Sequence, residues 1–199
     1  MDLSEDLKKK IKEIKSKAIK YGASDMTTLI EVKDIVLPNW PRMKCKFGCK
    51  GYGKNLSCPP YIPEPEKWRE FLQDYSYALL IIFEGDPNHF FDNAMRFNKK
   101  IYKLERKAFL KGFQKSFGFF IGPCKLCDEC IVNEENFPKD LDADIARSLC
   151  KHLDKSRPSM EAAGIDVFET IRSIGLDIEV ITSRNGNQDV RFYGLLLLE

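Results

Sequence analysis

The chain has 199 residues, 43% of them hydrophobic and 31% charged; a chain of that length and make-up folds as an ordinary globular protein that buries roughly 70% of its unfolded surface. Thirty-two basic residues against 30 acidic ones leave a net charge of +2, which gives no reason to invoke nucleic acid or an anionic membrane as a partner. The start, Met1-Asp-Leu-Ser-Glu-Asp, lacks the basic-then-apolar order of a secretory signal, and the early apolar run at 78–83 is far too short to span a bilayer. A cytoplasmic location is therefore expected. Seven cysteines in a reducing compartment read as metal ligands or reactive thiols rather than as a disulfide framework.

In chain order, Leu3, Leu7, Ile11, Ile14, Ala18 and Tyr21 recur at steps of four and three and predict an amphipathic helix ending near Gly22. Its many lysines read as a solvated face, because acidic residues are interleaved with them. Residues 27–36 alternate as a half-buried strand. Pro38 and Pro41 then break the chain ahead of a first cysteine group, Cys45, Cys49 and Cys58, among Gly48, Gly51 and Gly53 and followed by Pro59-Pro60. A short helix is expected over 64–74 with Trp68, Phe71 and Leu72 inward, then a central strand over 75–83, where the sequence is nearly all apolar. A long helix over 88–111 carries Phe91, Met95, Asn98, Tyr102, Glu105 and Phe109 near one stripe, beside Phe97, Ile101 and Leu104; the stripe reads as core. A strand over 117–121 delivers Gly122-Pro123 and the second cysteine group. Pro158 suits the first turn of a further helix and Ser159 its cap, with Met160, Gly164, Val167, Phe168, Ile171 and Ile174 on one face down to Gly175. Strands at 176–183 and 190–198 are joined by a hairpin signalled by Asn185-Gly186. The whole reads as α+β: one domain over 1–199, a roughly five-stranded sheet, three main helices, and a cysteine-rich metal-binding lobe built from loops at 45–60 and 122–159.

The second cysteine group carries the chemistry. Cys124, Cys127 and Cys130 stand at intervals of three, with Cys150 a further 20 positions on. Three thiolates packed into one tight wrap, with a remote fourth, suit a [4Fe–4S] cluster. Zinc sites more often use two separated Cys-x2-Cys pairs, so zinc stands as the alternative and ordinary buried thiols as the bland one. Cys45, Cys49 and Cys58 remain, and three thiolates on a cluster or on zinc leave one position open to water or substrate; the alternatives are that Cys45 or Cys58 is merely buried, or that the three join the other group around one shared metal. The expected function is an iron–sulfur protein in redox or electron transfer, with one closed cluster on Cys124, Cys127, Cys130 and Cys150 and a second, three-cysteine metal site. The alternatives are an iron–sulfur or zinc enzyme using the open position for reductive or sulfur-transfer chemistry, with Tyr52, Lys54 and Tyr61 as nearby proton donors, and a zinc-stabilised binding module. A redox partner protein fits the first reading. Arg157 reads either as a cation favouring an anionic cluster or as half of a carboxylate salt bridge. His152 is placed to hydrogen-bond near the cluster, and His89 reads as a surface residue at a helix start.

Taken together, Cys45-x3-Cys49, Tyr52-Gly53, Cys58-Pro59-Pro60, Cys124-x2-Cys127-x2-Cys130, Cys150 and the stretch Arg157-Pro158-Ser159-Met160-Glu161-Ala162-x-Gly164-Ile165-Asp166-Val167 resemble the cysteine-rich "predicted metal-binding protein" family (domain of unknown function 2284). The likeness runs from about Cys45 to the end of the chain. It departs where a proline is expected shortly after the last cluster cysteine and Cys150-Lys-His152-Leu153 stands instead. The resemblance implies metal binding and brings no reaction with it.

Overall fold

In a computed structural model that describes residues 3–138, 140–180 and 190–199, a four-stranded antiparallel sheet forms the middle layer. Its strands are β1 (Thr28–Glu31), β2 (Tyr77–Gly85), β3 (Phe117–Phe119) and β4 (Val190–Leu197), in the order β1-β2-β4-β3. The protein is α+β, as the sequence predicts. β2 and β4 pair along eight residues, from Ala78 opposite Leu197 to Gly85 opposite Val190. β2 over 78–83 and β4 over 194–197 are covered on both sides, which is why they read as apolar runs instead of alternating ones. Leu79, Ile81 and Phe83 pack into one core with Phe192 and Leu196, while Ala78, Leu80 and Ile82 pack into the other with Leu195 and Leu197.

The first core is closed by α1 (Glu5–Lys20) and α4 (Phe90–Leu110), which contribute Ile11 and Ile14, and Phe97, Ile101 and Leu104. Phe83 and Phe97 stack with ring centroids 4.3 Å apart. α4 lies so close to the sheet that a side-chain carbon at Gly194 would collide with Ile101 Cδ1, so any other residue in β4 there would have to push the end of that side chain aside. The second core is closed by α3 (Pro65–Leu72), α6 (Met160–Ala163) and α7 (Val167–Ser173), with Trp68, Met160 and Ile171 buried against the sheet.

Several boundaries differ from the sequence reading, each for a physical reason. The strand expected over 27–36 ends at Glu31, where a 3-10 turn (Val32–Asp34) replaces it. The segment around Pro38 and Pro41 does not simply break: α2 (Trp40–Gly48) forms with Pro41 in its first turn, where the missing N–H has no helical partner to lose. The single helix expected after Ser159 is two, α6 and α7, divided by Gly164 in the left-handed conformation (φ +99°). Ser159 caps α6 as expected, its side chain accepting from Ala162 N at 3.2 Å, while Pro158 stands before the cap and not in the first turn. A short α5 (Ala143–Ser148), unforeseen, leads into Cys150. Of the expected fifth strand, residues 176–180 form no regular element, and the rest of it and the Asn-Gly hairpin lie outside the described residues.

Candidate metal centre

The two cysteine groups sit together, members of both lining one cavity, on segments hydrogen-bonded to the helices and loops around the sheet. The segment bringing Cys124 leaves β3 through Phe120, whose N–H donates to Pro158 O at 2.8 Å. Asn98 on α4 then clamps the next residue from both sides: Ile121 N donates to Asn98 Oδ1 (2.8 Å) and Asn98 Nδ2 to Ile121 O (3.0 Å). Asn98 stands in a stripe the sequence marks as core, and it is indeed buried, but as a polar clamp three residues from the first cysteine. Cys150 lies two residues past α5, with its N–H on Arg147 O (3.2 Å) and its Sγ 3.5 Å from Ser156 Oγ. The following turn is pinned by Arg157. Its Nε and Nη2 reach Glu105 of α4 at 3.0 and 2.5 Å, and its Nη1 holds Asp154 O and Ser156 O. Arg157 is therefore the salt-bridge partner of a buried carboxylate.

Cys45 stands on α2 and Cys49 closes that helix, so the first group is only partly on a loop. Arg42, buried on the same helix, donates to Ala162 O (3.0 Å), Ile62 O (3.3 Å) and Glu64 (2.9 Å). Residues 49–61 run as a chain of tight turns, with Tyr52 N on Cys49 O, Gly53 N on Pro59 O and Cys58 N on Asn55 O. Asn133 Nδ2 donates to Lys54 O at 3.1 Å and ties this loop to the one following Cys130.

Two adjoining cavities result. A small one is walled by Cys124, Cys127, Cys130 and Cys150 together with Ser57 and His152. A larger one, of about 770 Å³, is lined by Cys45, Cys49 and Cys58 and shares Cys127 and Cys130 with the first. All seven cysteines are free thiols. Burial pushes the Cys58 thiol up to about 12, and the neighbouring Cys45, Cys49, Cys124 and Cys130 add to the effect. Burial also raises Cys124, Cys45 and Cys127; at Cys124 the Leu126 N–H and the Ser57 hydroxyl oppose it. Ser57 Oγ is itself buried without a well-aligned hydrogen-bond partner. Among the described residues, no three His, Cys, Asp or Glu side chains close on a single-ion position.

Other expected residues divide. Tyr52 and Lys54 line the larger cavity, but Tyr61 packs on the small apolar core of the lobe, formed by Leu56, Val132, Phe137 and Ala146. His89 is exposed at the start of α4, 3.8 Å from both Asp86 and Asp92. Asn98, Glu105 and Arg42 were not singled out from the sequence as site-positioning residues. The one signal available was polarity at 98 and 105, seven residues apart on an otherwise apolar stripe.

Among the described residues no helix is long and apolar enough to cross a membrane. The model of a family described as predicted metal-binding protein (DUF2284) matches residues 28–198, and the chain belongs to that family. Comparison with curated proteins and with solved structures gave no match.

Proposed function

Starting from membership of a metal-binding family, we propose that this protein carries an iron–sulfur cluster and works in redox or electron transfer. Cys124, Cys127, Cys130 and Cys150 hold one [4Fe–4S] cluster, and Cys45, Cys49 and Cys58 form a second metal site with one position not filled by cysteine. The observation that carries the reading is the cavity walled by those four cysteines, three from one tight turn and one from the remote Cys150. The donor set fits: all seven candidate ligands are soft thiols, which suit iron–sulfur or zinc and not hard oxygen-seeking cations. When bound, a cluster on four thiolates supplies electron transfer, its shell being closed to substrate.

The chain's own residues do the remainder. Asn98 and Arg157 hold the two segments that bring Cys124 and Cys150. Against the larger effect of burial, the Leu126 N–H and the nearby Ser57 hydroxyl lower the Cys124 thiol, and Gly51 N–H donates to Cys49 Sγ at 3.4 Å. His152 walls the same cavity as the four cysteines, in line with a hydrogen-bonding role there. A redox partner protein belongs to this reading.

A second reading, an iron–sulfur or zinc enzyme doing reductive or sulfur-transfer chemistry, is favoured by the larger cavity, which leaves space beside Cys45, Cys49 and Cys58 next to Tyr52 and Lys54. A zinc-stabilised binding module is the third. One experiment separates them: strictly anaerobic purification with iron, sulfide and zinc quantified together, on the wild type and on Cys49→Ser. Iron and sulfide in the wild type, with one site lost in Cys49→Ser while the visible spectrum of the other persists, support the proposal. Zinc without sulfide sinks it, and loss of all metal from folded Cys49→Ser means that the two groups share one site.

A further inference from the structure

Two helices of this protein are rich in lysine, and on one of them the cations gather along a cavity. On α1 three acids stand among the cations: Lys8 pairs with Glu5 and Lys10 with Asp6, each at 2.7 Å, and Glu13 takes Lys111 at 2.6 Å. On α4, Lys99, Lys103, Arg106 and Lys107 follow at steps of four, three and one, so they share a face. The helix holds two carboxylates, Asp92 in its first turn and Glu105, and the latter is spent on Arg157 and Gly118 N. Among the described residues none of the four cations has an ion pair or hydrogen bond. Like charges so spaced destabilise a helix, and a merely solvated face intersperses acids, as α1 does.

These four line a cavity of about 700 Å³, the size of a small-molecule site. Lys155 and His152 close its far side, and no Asp or Glu lines it. Lys155's own ion pair is a 3.9 Å contact with the exposed Asp154. The rest of the wall is aromatic and apolar: Tyr21, Tyr102, Leu110 and Leu126. Four cations without a counter-charge, and Lys155 with only a 3.9 Å one, call for a multiply charged anion, and the tyrosine rings, Tyr21 with Lys17 Nζ 5.1 Å over it, suit a flat body beside that anion. Leu126 and His152 also wall the cavity of the four cysteines, so the two spaces are back to back.

We infer that this groove binds an organic polyphosphate of nucleotide size, its phosphates against the α4 cations and Lys155 and its planar part against Tyr21 and Tyr102. The inference goes beyond the iron–sulfur reading and does not depend on it. It is tested by calorimetric titration of the full chain, purified anaerobically with whatever metal it carries, using ADP and, separately, inorganic pyrophosphate at about 0.15 M salt. Saturable one-to-one binding of ADP is expected. It should weaken at least about tenfold in Lys103→Glu/Arg106→Glu, since charge-assisted phosphate contacts are lost, and Tyr102→Ala should weaken ADP but not pyrophosphate. Lys99→Gln/Lys103→Gln repeats the test without charge reversal, and circular dichroism checks the fold of each variant. Absence of saturable ADP binding overturns the inference, as does binding that the charge variants leave unchanged. Binding confined to a long polyanion such as poly(U) overturns it too, in favour of nucleic acid. ADP binding by protein that proves to hold no iron leaves it standing while the cluster proposal falls.

Discussion

Replacing Arg157 by methionine tests how the cysteine lobe is fastened to the sheet layers. In the wild type the Glu105 carboxylate accepts Gly118 N at 2.7 Å and Arg157 Nε at 3.0 Å on one oxygen, and Arg157 Nη2 at 2.5 Å on the other. The two side chains are only 16% and 11% exposed. Methionine keeps much of the stem packing but leaves a nearly buried carboxylate with a single backbone donor. Breaking a buried pair from one side costs about 3–5 kcal/mol, and the residual exposure places this case at about 3. For a chain of this length that lowers Tm by about 6–12 °C. Adding Glu105→Gln removes the stranded charge and still leaves an oxygen for Gly118 N, so the double variant should regain about half of the loss. Urea or thermal denaturation at matched metal content measures both. Because Arg157 Nη1 also holds Asp154 O and Ser156 O, trypsin should cut faster at Lys151 and Lys155 in the single variant. A loss below about 1 kcal/mol, the range of an exposed pair such as Lys8–Glu5, or a double variant weaker than the single one, would refute the reasoning.

In metal-free protein, stability should fall as pH rises above 9: the folded state holds the Cys58 proton up to about 12 while the unfolded thiol releases it near 9, so the unfolded state binds fewer protons in that window. Tyr75, pushed by burial to about 12 from 10, adds to the loss higher up, and Cys58→Ala should flatten the earlier part of a stability–pH curve measured by denaturation. Alkylation of the same metal-free protein, followed by mass spectrometry, should reach the exposed Cys49 first and Cys58 last. Gly164→Ala should destabilise by more than about 1 kcal/mol in a denaturation series, since φ is +99° and a side-chain carbon would stand 3.3 Å from Leu37 and 3.4 Å from Pro65. Removing metal should speed proteolysis near Lys46, Lys50, Lys54 and Lys125 while amide protection in β2 and β4 persists, because the lobe's buried apolar core is four residues against the large cores on both faces of the sheet.

How much was legible depended on whether a feature was written locally. The long α4 and the apolar β2 could be read directly, because their periodicity or lack of it follows from which faces are buried. So could the two cysteine groups and the family they belong to, since spacing is a local property. α2 was hidden because Pro38 and Pro41 look like breakers, and only the first-turn position of Pro41 shows that it is tolerated. The division of α6 from α7 was hidden because Gly164 continues the apolar spacing and its φ is not written in the sequence. The pairing of Arg157 with Glu105, 52 positions apart, was open between two readings, since no local pattern tells a cation which carboxylate it will meet.

Three polar residues then explain why the thiols are gathered where they are. The lobe has too small an apolar core to position seven cysteines by packing alone. Arg42, Asn98 and Arg157 are each drawn into or near the interior, and each holds backbone carbonyls of the segments that carry or adjoin the cysteines: Ala162 and Ile62, Ile121, and Asp154 and Ser156. A guanidinium or an amide costs more to bury than a leucine unless its hydrogen bonds are made. A core filled only for stability would not need them at these three places. Their common effect is orientation: they fix the backbone on either side of the cysteines and leave the thiols themselves facing the cavities. Under the proposed cluster reading, holding the frame rather than the sulfurs leaves the thiols free to close on a metal, which then orders the remainder of the lobe.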